Sequence, residues 1–139
     1  MFRENLTQLR KLHNFSQEEL AEKINVSRQT LSKWETGESV PDIEKCMALA
    51  SVFDVTLDDL VNFNSPVSGL NVPPRGKHVF GVVTVGEKGQ IVIPAQARKI
   101  FAIEPGHRLL VLGDEGQGIA LMKENDIFEH LIKPFQQQD

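Results

Sequence analysis

A chain of 139 residues, 40% hydrophobic and 24% charged, has room for one domain or two small ones and excludes disordered and fibrous classes. The opening residues, MFRENLTQLR, contain no apolar stretch of the signal-peptide kind, and no apolar run approaches the roughly 18 residues of a membrane span, so a cytoplasmic protein is expected. The net charge is −4: residues 1–66 hold 7 basic and 11 acidic side chains, and residues 67–139 hold 8 of each. Any nucleic-acid partner must therefore meet a local patch rather than a basic domain.

The first predicted helix covers about Glu4 to Leu12, where Leu6, Leu9 and Leu12 recur at helical spacing. Ser16 and Glu19 form an S-x-x-E capping box, so a second helix begins at Gln17, with Leu20 and Ile24 as its apolar stripe. Asn25 ends it, because asparagine tolerates the left-handed backbone of a tight turn. Ser27 caps a third helix that runs to about Thr36 and stops at Gly37. Pro41 and Asp42 open a fourth, in which Ile43, Met47, Ala50 and Phe53 repeat at three and four, and Thr56 with Asp59 starts a fifth over TLDDLV. Cys46 is the single cysteine, lies between apolar residues and reads as a buried thiol without function.

From Phe63 to His78 the run FNSPVSGLNVPPRGKH breaks every period with prolines, glycines and serines. It divides the chain into residues 1–63, a linker at 64–78, and residues 79–139. Beyond it HVFGVVTV reads as a strand, GEKG as a turn and QIVI as a second strand, with Pro94 at the start of a short helix, AQARKIF. RLLVLG and IALMK supply two more strands on either side of DEGQG, and NDIFEHLIKPF closes the chain as an amphipathic helix with Ile127, Phe128 and Leu131 on one face. About 45 residues of short strands bury little by themselves, and no metal spacing or disulfide pair is present to help, so an obligate dimer is expected.

On the third helix, Leu31 and Trp34 fall on one side of the wheel; Arg28, Gln29, Ser32 and Lys33 share the other. A polar helix face is ordinarily just solvated. Here it follows a short helix and a tight turn, the arrangement of a helix-turn-helix, whose second helix offers its outer face to the DNA major groove. Arginine can bind guanine O6 and N7 through two hydrogen bonds, glutamine can do the same at adenine, and serine and lysine can reach base edges or phosphates.

The stretch LRKLHNFSQEELAEKINVSRQTLSKWETGESVPDIEKCMALASVFDVTLDDLV resembles the phage-repressor-like helix-turn-helix family of the xenobiotic-response-element type, with Asn25 where that family usually has glycine. The resemblance implies that Gln17 holds a backbone phosphate and that Arg28, Gln29, Ser32 and Lys33 face the bases, with Ser27 and Thr30 flanking them. VTVGEKGQIVIPAQARKIFAIEPGHRLLVLGDEGQGIALMK is similar to the AbrB-type swapped-hairpin domain of sporulation regulators and MazE-type antitoxins, in which two chains interleave hairpins into one barrel. That resemblance implies a dimeriser. Gln90 stands at the arginine of the family's G-R-x-x-I-P pattern, which leaves Lys88, Arg98 and Lys99 as auxiliary DNA contacts.

An enzyme is not expected: the four histidines are scattered and form no metal or triad pattern, and GEKG is too short to cradle a phosphate. The expected fold is therefore α + β in two domains, a five-helix repressor-like domain followed by a small swapped-hairpin β-barrel. The expected function is a nucleoid-associated regulator, a repressor, binding double-stranded DNA as a homodimer on a pseudo-palindromic operator, with pairing into a tetramer left open. No cofactor, metal or membrane partner is expected. The competing reading is an antitoxin that binds a toxin protein and autoregulates its operon.

Overall fold

Residues 1–124 are described in the computed structural model of the chain, and they fall into two units that divide between Val82 and Val83. The architecture is α + β. The first unit holds helices α1 (Phe2–Leu12), α2 (Gln17–Lys23), α3 (Arg28–Thr36), α4 (Ile43–Phe53) and α5 (Leu57–Asn62). Four of their starts are capped in the same way. Ser16, Ser27, Asp42 and Thr56 each accept a hydrogen bond from the backbone N–H three residues on, at 2.9–3.1 Å. At Ser16 the box is complete, since the Ser16 N–H donates in turn to the Glu19 carboxylate at 3.0 Å.

The helices end as sharply as they begin. Asn14, Asn25 and Asp54 take left-handed backbone just past α1, α2 and α4, with φ between 52° and 59°. Gly37 does so after α3 at φ 83°, and a Cβ there would also meet Arg3 Nη1 at 2.8 Å, where that guanidinium donates to the Thr36 carbonyl.

These short helices pack around Leu6, Leu9, Leu20, Leu31, Leu49 and Leu60, with Trp34, Phe53 and Val55. Asn5 is buried among them and donates to the Leu60 and Phe63 carbonyls at 3.1 and 2.9 Å, tying α1 to the end of α5. Two apolar stripes differ from expectation. A spacing of three advances about 300° per step, so Leu12 has rotated some 120° away from Leu6 and is exposed. On α4 the buried set is Cys46, Leu49, Ala50 and Phe53, the i, i+3, i+4, i+7 pattern, with Cys46 half-buried; Ile43 and Met47 lie off it and are exposed. Burial, with Asp42 nearby, pushes the Cys46 thiol pKa up, the state of an inert thiol.

The segment expected as a linker at 64–78 is not loose throughout. Val72 and Pro73 are buried against the helical core, and Arg75 bonds to the corner between α4 and α5. One valine in an extended Val-Pro-Pro stretch has no period to betray it, yet it buries fully once a groove is offered.

The second unit contains α6 (Ala95–Ile100), with Pro94 at its N-cap, and an antiparallel pair, β1 (Leu109–Asp114) and β2 (Gly118–Lys123). The register runs from Leu109 opposite Lys123 to Asp114 opposite Gly118, around the turn 115–117. The other two expected strands, HVFGVVTV and QIVI, form no ladder among the described residues, although the turn between them closes through the Gly86 N–H and the Gln90 carbonyl at 2.7 Å. A strand exists only where a neighbour accepts its hydrogen bonds. The amphipathic stretch with Ile127, Phe128 and Leu131 lies outside the described residues.

Candidate nucleic-acid interface

The turn between α2 and α3 is held from three sides. The Asn25 N–H reaches the Glu22 carbonyl at 3.2 Å and the Val26 N–H reaches that of Ala21 at 2.9 Å, the paired bonds that close a helix when the residue between them is left-handed. Lys45 reaches across from α4, its Nζ donating to the Ile24 carbonyl at 3.0 Å. Two backbone bonds and one from the Lys45 side chain thus hold the turn between the two helices, whose Leu20 and Leu31 share the core.

Leu31 and Trp34 anchor α3 in the core. Their burial decides which face is left outside: Arg28, Gln29 and Lys33 are exposed and Ser32 is half-exposed. Among the described residues, none of these four side chains meets an intramolecular hydrogen-bond or ion-pair partner. Their donors are free, on one surface, and within two turns of the helix start. Ser27 and Thr30 are partly committed already, since the Ser27 Oγ caps the Thr30 N–H at 3.1 Å and lies 2.9 Å from the Thr30 hydroxyl.

Gln17, the first residue of α2, sits beside this face and is half-buried; its amide nitrogen lies 3.4 Å from a Glu35 oxygen. Glu35 is held in turn by Arg10, with Nε to Oε2 at 2.7 Å and Nη2 to Oε1 at 3.1 Å, and Arg10 also donates to the Phe15 carbonyl at 3.0 Å. The chain of contacts joins α1, α2 and α3 behind the outward face. Sequence reasoning did not find Arg10 or Glu35, because they are 25 positions apart on different helices, with α2 between them, and no local spacing links the pair. At the start of α2, the Ser16 N–H and then the Ser16 hydroxyl hold the Glu19 carboxyl below its ordinary pKa.

The remaining candidates lie in the second unit. Lys88 and Lys99 are exposed, and the Arg98 Nε donates to the Ile93 carbonyl at 3.1 Å, which commits part of its guanidinium to the local turn. Among the described residues, no group of three His, Cys, Asp or Glu is placed to hold a metal, and no helix is long and apolar enough to cross a membrane.

Comparison with known proteins adds to this geometry. The helix-turn-helix family matches residues 6–60, and residues 82–128 match the family described as antidote-toxin recognition MazE, bacterial antitoxin. An HTH-type transcriptional regulator of Methanocaldococcus jannaschii is 41% identical over 51 residues, which are 37% of this chain and 77% of that protein. The chain belongs to the helix-turn-helix family of transcriptional regulators. A longer match runs to the HTH-type transcriptional activator BcrR of Enterococcus faecalis, 44% identical over 105 residues, 71% of this chain and 52% of the relative. The chain thus spans about half the length of BcrR. Among solved structures, a transcriptional regulator from Listeria innocua is 38% identical, covering 50% of this chain and 64% of its own, with a TM-score of 0.44. In this helix-turn-helix regulator the family match contains the whole α2–turn–α3 unit, and the second match begins at the division between the two units.

Proposed function

We propose that this chain is a sequence-specific DNA-binding transcriptional regulator that acts as a homodimer on a pseudo-palindromic operator. The observation that carries the reading is the outer face of α3, where Arg28, Gln29, Ser32 and Lys33 stand together with unused donors on a helix seated by Leu31 and Trp34. In the major groove Arg28 and Gln29 read base edges, Ser32 and Lys33 reach bases or phosphates, and Gln17 holds a phosphate from the start of α2, with Ser27 and Thr30 at the margin.

The second unit supports the homodimer. Among its described residues only Ala97 is buried, and Val111, Ile119 and Leu121 leave one face of the β1–β2 pair bare. Val83, Val85, Ile91 and Val92 are exposed as well, on segments that have no strand partner among the described residues. A second copy that pairs these segments satisfies their backbone and covers the apolar surface at once. Two readers related by a two-fold axis then address half-sites about 34 Å apart, or a multiple of that distance. Lys88, Lys99 and the free end of Arg98 add phosphate contacts where DNA passes the second unit.

Selection from random duplex DNA by the full-length protein tests the proposal. An enriched inverted repeat is the expected result; absence of enrichment at near-physiological salt refutes it. Whether the occupied operator is repressed, as the phage-repressor resemblance suggests, or activated, as with BcrR, is read from a promoter fusion. A second reading, an antitoxin that captures a toxin protein, is favoured by the match over residues 82–128. It predicts a stable complex with a separate protein and operator binding that changes with the ratio of the two.

A further inference from the structure

The segment joining the two units contains a docked stretch. Val72 is 4% exposed and belongs to the helical core, and Pro73 beside it is buried. Two residues on, the Arg75 N–H donates to the Asp54 carbonyl at 2.8 Å and its Nη2 donates to the Val55 carbonyl at 2.9 Å, with Nε 3.7 Å from the Asp54 carboxylate. Asp54 is the left-handed residue that ends α4, so these two carbonyls lie in the corner between α4 and α5, where no helical donor serves them. An apolar anchor, a buried proline and a doubly bonded arginine within four residues make a fastening rather than a passing contact.

We propose that Val72–Arg75 is a clamp that shortens the tether between the DNA reader and the second unit, and so determines which half-site spacings the dimer accepts. This rests on the reading of the protein as a dimeric DNA binder. With the clamp closed, the tether is the seven residues Gly76–Val82; with it open, it is the nineteen residues Asn64–Val82. Taken as flexible chains these have root-mean-square spans of about 15 Å and about 24 Å. Effective concentration falls roughly as the −3/2 power of tether length, so release lowers it about four- to five-fold. The clamped dimer therefore favours a narrow range of spacings, and the released one accepts a wider range with weaker binding at the best. Arg75 and Val72 act through tether length and touch no base.

The experiment uses full-length protein and a series of duplexes carrying the selected half-site once, or twice at increasing separation. Two variants open the tether by different routes: Val72→Ala combined with Arg75→Ala, and an insertion of twelve Gly/Ser residues after Gly76, which reproduces the open length without touching the core. Both are expected to bind a single half-site as the wild type does, to lose about four- to five-fold at the preferred spacing, and to flatten the spacing profile. Should the paired substitution unfold the first unit, the insertion alone decides. A wild-type profile retained by the insertion variant, or a wild type that binds half-sites but ignores their spacing, overturns the clamp while leaving the DNA reading intact. Failure of the wild type to bind any half-site overturns the DNA reading and the clamp with it.

Discussion

Replacing Arg10 by Met tests how strongly the pair behind the reader holds the first unit together. The substitution keeps an unbranched apolar side chain in place and removes the guanidinium that binds Glu35 through two bonds and the Phe15 carbonyl through a third. The side chains of Arg10 and Glu35 are 14% and 7% exposed, so the Glu35 carboxylate left behind is desolvated, with the Gln17 amide at 3.4 Å as its one remaining partner among the described residues. Removing one partner of such a pair costs about 3 to 5 kcal/mol. A unit of this size has a total stability of roughly 4 to 12 kcal/mol, so the loss is a large part of the whole. Trp34 is the only tryptophan and is buried in the first unit, so its fluorescence during urea unfolding reports this unit by itself. The double variant Arg10→Met with Glu35→Leu, which buries no charge, is expected to recover most of the loss. A cost below about 1 kcal/mol for Arg10→Met, the value of an exposed pair, refutes the reasoning, as does a double variant no more stable than the single one.

Arg28→Ala is expected to cost about 1 to 3 kcal/mol of operator binding and to relax preference at one base pair, whereas Gln17→Ala weakens all sequences alike; competition binding against single-base operator variants separates the two. Glu19 titrates below its ordinary 4.5 in the folded chain, so its contribution to stability is complete above that value and is lost as pH falls through the lowered one. Glu19→Gln should therefore lower unfolding free energy near about pH 6, by a margin that shrinks as pH falls through the lowered value, as followed through Trp34. Ser16→Ala, which removes the other half of the box, is expected to cost about 1 kcal/mol by the same assay. Sedimentation of the full chain is expected to give a dimer, and replacing Ile119 and Leu121 by polar residues is expected to shift it towards monomer; dimers unchanged by both substitutions would place the interface elsewhere.

The helix starts were legible because capping is local: Ser16, Ser27 and Thr56 each serve an N–H three residues away, a relation that a string of letters preserves. The turn at Asn25 was legible for the same reason, and so was the partition of α3 into a buried side with Leu31 and Trp34 and an outer side with Arg28, Gln29, Ser32 and Lys33. The second half was legible only where the chain is its own partner. β1 and β2 find each other across a three-residue turn, whereas HVFGVVTV and QIVI have the composition of strands and no ladder among the described residues.

Sequence alone thus determined where helices begin and end, that the chain has a helical half and a strand-rich half, and which residues of α3 face outward. Each of these depends on interactions within about one turn of chain, or on a periodicity that such a turn imposes. Tertiary structure decided the rest. It chose Cys46, Leu49, Ala50 and Phe53 over Ile43 and Met47 as the buried side of α4, joined Arg10 and Gln17 to Glu35 behind the reader, buried Val72 in the helical core and fastened Arg75 to the corner after α4. These bonds bring together residues 18 to 25 positions apart with no repeating interval, and only the packed shape determines which groove is near which side chain.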